Sequence, residues 1–179
     1  CGERHGQRIT AEQAKGTDFD LGNSPREYTA EIVTGKTLIT TTTNGTRALR
    51  ASLGAREVLV SSFLNLQATI DHLREASLKR LALVCGGTFE EAAFEDTLAA
   101  GAIADAVWDL FTDDSIEDSA QIARALWLAH GASLNASIQH ALNARRLLAV
   151  PELAADVDFC LQRDTIGQVV RLDPRGWVA

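Results

Sequence analysis

Three short stretches bring hydroxyls and bare backbone to places where a helix begins. Thr42-Thr-Asn-Gly-Thr runs into a helix-like sequence, Ser61-Ser-Phe-Leu-Asn precedes a second, and Cys85-Gly-Gly-Thr precedes a third. A helix start leaves N–H groups unpaired and carries partial positive charge, so hydroxyls and glycines there can hold a phosphate or another small oxyanion. Thr42, Asn44, Gly45, Thr46, Ser62, Gly86 and Gly87 are the residues this chemistry would use. The same types also make an ordinary strand end, turn and cap. The residues alone leave both readings standing, and at Ser62 the cap is the favoured one.

Several familiar phosphate chemistries do not fit. No Lys follows Gly45 and the G-x-x-x-x-G-K spacing is absent, so a P-loop for nucleoside triphosphates is excluded. Cys85 precedes Gly-Gly-Thr-Phe-Glu-Glu, with no Arg to cradle a thiolate and two acids to oppose one, so it reads as a packed small residue. Asp18-Phe-Asp20 has the spacing of an aspartyl nucleophile but follows polar loop instead of a buried strand. Asp20 reads better as a metal ligand or a substrate-orienting acid. Glu95-Asp96 opens a long helix, where the acids either complement the dipole or hold Mg²⁺ together with substrate phosphate. Arg4, in a Gly-flanked loop with Glu3 and His5, can clamp a carboxylate, sulfonate or phosphate or simply stay solvated. His72, His130 and His140 have no helical partner at i+4 and read as structural, and Arg145-Arg146 reads as a solvated helix end.

The composition bounds the partners. A chain of 179 residues can build one sizeable core. Its net charge of −7, with no run of Lys or Arg, argues against nucleic acid and against an anionic membrane surface. No stretch reaches the roughly 20 apolar residues of a membrane span. Cys1, Cys85 and Cys160 are too far apart for a disulfide framework or a zinc site, and suit a reducing cytoplasm. The chain begins Cys1-Gly-Glu, and an upstream segment is expected.

Alternating elements must position these stretches. Residues 1–25 read as loop, with a short helix starting at Ser24-Pro25. Residues 37–42, 57–61 and 80–85 read as short apolar strands. Helices follow over 46–54, 65–76 and 94–111, then over 119–130 and 133–148, and one more strand falls within 159–172. Strands alternating with helices, and apolar throughout, predict a mainly parallel α/β sheet covered on both faces. Ligands of such sheets sit beyond the carboxyl ends of the strands, where the three corners lie. Alanine-rich residues 120–149 predict close helix packing and a homodimer.

Taken together, the segments resemble the 2-phosphosulfolactate phosphatase family of coenzyme M biosynthesis. The matching pieces are Gly2-Glu-Arg-His-Gly, Phe19-Asp-Leu-Gly-Asn-Ser-Pro, Thr41-Thr-Thr-Asn-Gly-Thr, Ser62-Phe-Leu-Asn, Val84-Cys-Gly-Gly-Thr, Glu95-Asp-Thr-Leu-Ala-Ala-Gly and Phe159-Cys, in the family's order. The resemblance departs at Glu90 and Ala92, where the family has a further glycine and an aromatic, and at Arg171, where it has proline. It implies a single three-layer α/β/α domain over 1–179, without the family's N-terminal strand and helix. That missing segment echoes residues 41–49, which implies an internal pseudo-repeat. It also implies a Mg²⁺-dependent phosphatase for small 2-hydroxy-acid phosphates. Asp20, Asn23 and Asn44 would be catalytic, Glu95 and Asp96 would hold the metal, the three corners would hold phosphate, and Arg4 would hold the substrate's acid end. A non-catalytic anion-binding or regulatory module and a subunit-interface protein are the alternatives.

Overall fold

The computed structural model describes every residue except His5 and Gly6, which belong to the first of the resembling segments. The chain is mixed α/β. A hairpin pairs β1, Glu3–Arg4, with β2, Gln7–Arg8, antiparallel. Short helices follow: α1, Ala11–Ala14, and α2, Ala30–Val33, then α3, Gly45–Ser52. Strand β3, Leu59–Val60, leads to α4, Leu66–Glu75, and α5, Phe94–Ala106. The rest is α6, Asp118–His130, α7, Leu134–Ile138, α8, Leu142–Leu148, α9, Pro151–Cys160, and β4, Val170–Arg171, which pairs antiparallel with β3.

The core forms where helical periodicity is cleanest. On α4, Leu66, Thr69, Ile70 and Leu73 are buried, the i, i+3, i+4, i+7 stripe that faces an apolar neighbour. They meet Leu98, Ala102, Ile103 and Val107 from α5 and the turn after it, then Leu134, Ile138 and Ala144. Helix α5 lies unusually close to α6 because Gly101 has no side chain; a Cβ there would fall 2.0 Å from the Ala123 carbonyl oxygen. The pair is further tied by Arg124 Nε to Asp105 Oδ1 at 2.8 Å.

The predicted sheet is not what the backbone shows. Among the described residues there are two two-stranded antiparallel sheets, and the parallel pairing is a single bridge between Gly2 and Thr41. Residues 80–87 carry no strand pairing. The apolar runs are not covered along their whole length: Leu81 and Leu83 lean on the core, while Val84 is 60% exposed and Ile39 82% exposed. No internal repeat is evident among the described residues. The single helix predicted over 133–148 breaks between α7 and α8. No Gly or Pro signals that break; Ala141 turns into the core at 1% exposure, and Asn143 is drawn to another loop.

Ser24-Pro25 does open a 3₁₀ turn, Pro25–Glu27. Asp156 of α9, 3% exposed, holds that turn: its Oδ1 accepts from Ser24 Oγ at 2.8 Å and from Arg26 Nε at 2.6 Å. Arg26 Nη2 also donates to the Glu152 carbonyl at 2.6 Å. Asp156→Ala removes an acceptor shared by both donors, although the half-exposed Arg26 regains water. A loss of about 1–2 kcal/mol is expected, read as a lower urea midpoint at unchanged slope. An unmoved midpoint would show that the clamp adds nothing to stability.

Candidate functional site

The Thr-Asn-Gly corner is built by its own hydroxyls. Thr46 N–H donates to Thr42 Oγ1 at 3.0 Å, and Thr46 Oγ1 donates to the Thr42 carbonyl at 3.0 Å while facing the Thr42 N–H at 3.3 Å. These reciprocal bonds close the first turn of α3, so both hydroxyls shape the corner. The backbone N–H groups of Asn44 and Gly45 have no acceptor among the described residues. They are the bare donors of a helix start.

The corner is anchored from two directions. Glu3 is buried, and its carboxylate accepts from the Thr43 N–H and from Thr43 Oγ1. Glu3 itself is fixed by backbone: its N–H donates to the Thr41 carbonyl at 3.1 Å. From the other side, Asn44 Oδ1 accepts from the Phe89 N–H at 3.1 Å. Phe89 has φ +57°, a conformation that costs an ordinary residue about 1 kcal/mol or more and that concentrates at functional sites.

The Cys-Gly-Gly loop faces this corner. A Cβ on Gly86 would lie 4.0 Å from the Gly45 Cα and 3.5 Å from Asp96 Oδ2. Asp96 Oδ2 accepts from the Gly87 N–H at 2.7 Å, with help from Gly86. Gly87 has φ +71°, which the turn requires. Burial pushes the Asp96 carboxyl above the usual carboxylate range, the two glycine N–H groups pull it back, and the neighbouring Glu95 pushes it up again. Glu95 Oε1 accepts from Asn143 Nδ2 at 2.6 Å, and the same amide donates to Thr88 Oγ1 at 2.6 Å. A cavity of about 340 Å³ opens here, bordered by Asn44, Arg47, Gly86 and Phe89. Arg47 is paired with Glu90 at 2.9 Å. Cys85 is exposed, not packed as expected; partial desolvation and then the nearby Asp96 push its thiol up, which disfavours a thiolate nucleophile.

The expected site residues therefore divide. Thr42, Asn44, Gly45, Thr46, Gly86, Gly87, Glu95 and Asp96 come together, though Asp96 engages the Gly86–Gly87 amides. Arg4 stands at the same end, with Nη2 donating to Thr41 Oγ1 at 3.1 Å. Asp20 and Asn23 are exposed and their side chains have no hydrogen-bond partner among the described residues. They flank Leu21, whose carbonyl accepts from Gly2 N–H at 3.0 Å, beside the Gly2–Thr41 bridge. Ser62 caps a 3₁₀ turn, its Oγ accepting from Leu64 N–H at 3.3 Å. It is Ser61 whose hydroxyl is buried without a partner among the described residues. Sequence reasoning missed Glu3, Phe89 and Asn143. Glu3 lies inside a quoted segment, but nothing in the sequence marks the other two, because their partners come from distant segments.

No helix among the described residues is long and apolar enough to cross a membrane. Compared with known proteins, residues 1–174 match the profile of the family described as 2-phosphosulpholactate phosphatase. A protein of Caldanaerobacter subterraneus subsp. tengcongensis is 36% identical over 172 residues, 96% of this chain and 67% of its own length. One from Clostridium acetobutylicum is 33% identical over 174 residues, 97% and 68%. One from Thermotoga petrophila is 37% identical over 172 residues, 96% and 69%. Each carries the name "Probable 2-phosphosulfolactate phosphatase".

Proposed function

The chain belongs to the 2-phosphosulpholactate phosphatase family, and on that premise we propose that it is a phosphoric monoester hydrolase that removes phosphate from 2-phosphosulfolactate or a closely related 2-phospho-hydroxy acid. The observation that carries the placement is the approach of two turns, with Gly86 set against Gly45 beside the bare N–H groups of Asn44 and Gly45. Those two N–H groups receive phosphoryl oxygens and stay with them as charge develops during transfer. Thr42 and Thr46 hold the turn in shape, and Glu3 and Asn44 fix it against the rest of the fold. Arg4 offers its guanidinium to an acid group of the substrate. Asp20 and Asn23 border the same end, where they can orient the attacking water.

The residues fit Mg²⁺. No three His, Cys, Asp or Glu side chains gather as a metal-binding group among the described residues, but Mg²⁺ needs only one or two carboxylates with substrate phosphate and water. Asp96 supplies one carboxylate at the Gly86–Gly87 turn, and Glu95, held by the Asn143 amide that also holds Thr88, supplies the other. When bound, the ion would offset phosphoryl charge and lower the pKa of a coordinated water.

We further read segments 37–42 and 80–85 as strands of a mainly parallel three-layer sheet, supported by the parallel bridge between Gly2 and Thr41. It includes a cytoplasmic setting without nucleic-acid or membrane partners, supported by the charge of −7. It includes a homodimer, supported by Ile122 and Leu128 left open on α6.

Phosphate release from 2-phosphosulfolactate tests the reading. Chelation is expected to lower the rate by about tenfold or more, with recovery on adding Mg²⁺. No release from folded protein with Mg²⁺ present would overturn the assignment, and full release after chelation would overturn the metal's part in it.

A further inference from the structure

A second cleft adjoins the phosphate corner. It encloses about 300 Å³ and shares Phe89 with the first cavity. Arg145 and Arg146 of α8 line it, with His140 just before that helix. Arg26, Arg47, Arg74, Arg124, Arg171 and Arg175 all have carboxylate partners. Arg145 and Arg146 have none among the described residues; Arg146 only reaches the Asn143 side chain, at 3.5 Å. Two carboxylates, Glu91 and Glu95, share the cleft. Glu95 is engaged by Asn143, and neither carboxylate is within ion-pair distance of the two arginines. Asn143 also ties the cleft to the first site. From the same helix as the arginines, it holds Thr88 of the Gly-Gly loop and Glu95 at the start of α5.

We propose that this cleft receives the acid end of the substrate, and that Arg145 and Arg146 select phosphate esters bearing a second strong anion over neutral ones. The inference rests on the phosphatase reading. A 2-phosphosulfolactate molecule carries a carboxylate and a sulfonate besides its phosphate, and Arg4 beside Thr41 can meet only part of that charge. Planar guanidinium forks match the oxygens of either acid. In a chain of net charge −7, two adjacent unpaired arginines in a cleft give a local field that draws such an anion in.

The test uses the full chain and the R145A/R146A double variant; alanine keeps α8 helical, and circular dichroism checks the fold. The preference for 2-phosphosulfolactate over isopropyl phosphate, as a ratio of kcat/KM values, is expected to fall by roughly tenfold or more, chiefly through the phospho-acid's KM. Calorimetry with sulfolactate, which has the acid end and no phosphate, reads the cleft without turnover. Its affinity is expected to fall by about tenfold in the double variant. A preference and a sulfolactate affinity that both stay put would overturn the cleft assignment and leave the phosphatase reading intact. Equal loss toward both esters in a folded variant would also overturn it. A wild-type chain that hydrolyses neither ester, yet binds sulfolactate through the two arginines, would overturn the phosphatase reading and support anion capture by the cleft.

Discussion

Asp96→Ala is expected to lower kcat/KM for phosphate release by about 10³-fold, with the protein still folded. The side chain serves two purposes at one point. Its Oδ2 takes the Gly87 N–H at 2.7 Å, and so holds a turn in which Gly87 has φ +71° and Gly86 stands against Gly45. It is also one of the two carboxylates proposed for Mg²⁺. Alanine removes both the anchor and the charge. Asp96→Asn separates them, because an amide oxygen still accepts the Gly87 N–H but brings no charge to a cation. Activity in the Asn variant as low as in the Ala variant would assign the effect to charge. Activity close to wild type would assign it to the turn and remove Asp96 from the metal site. Near-normal kcat/KM in both variants would break the link between this loop and the reaction.

Much of this site was legible because each corner is local. A Thr at 42 and another at 46, with Asn-Gly between them, can close a helix start using only their own hydroxyls and backbone, and they do so. The stripe at Leu66, Ile70 and Leu73 likewise needs only a period of 3.6 to declare its buried face. What was not legible depends on distant partners. Asn44 looked like a phosphate donor, yet its side-chain oxygen reaches across to Phe89. Ser24 looked like a cap, yet it makes no side-chain cap bond and its hydroxyl goes to Asp156, 132 residues away. The sheet was not legible for a related reason. Apolar runs at 80–85 say that a segment prefers burial, while pairing partners decide whether it gets a sheet. Asn143 carries no sequence signal at all; its role exists only because the break before α8 brings it to Thr88 and Glu95.

Gly101→Ala should lower the Tm by about 5–10 °C, equivalent to roughly 2–3 kcal/mol in a chain of this size. Two effects oppose each other. Alanine is the better helix former by about 1 kcal/mol, which taken alone would stabilise α5. Against this, the added Cβ would lie 2.0 Å from the Ala123 carbonyl oxygen, 2.7 Å from its carbon and 2.9 Å from the Trp127 Cβ. The obstacle is mostly backbone, so no rotamer change relieves it, and α5 and α6 must separate. Separation opens the contact around the fully buried Leu98 and Val107, so the steric effect outweighs the propensity. It also shifts the helix whose first turn carries Glu95 and Asp96, and activity should fall together with stability. Gly54→Ala is the control. Gly54 follows α3, nothing lies within 4 Å of its Cβ position, and its φ is not in the left-handed region, so its Tm should move by no more than about 1–2 °C. If Gly101→Ala instead matched Gly54→Ala, the close α5–α6 approach would be wrong, and with it the support that fixes Glu95 and Asp96 against the Gly86–Gly87 turn.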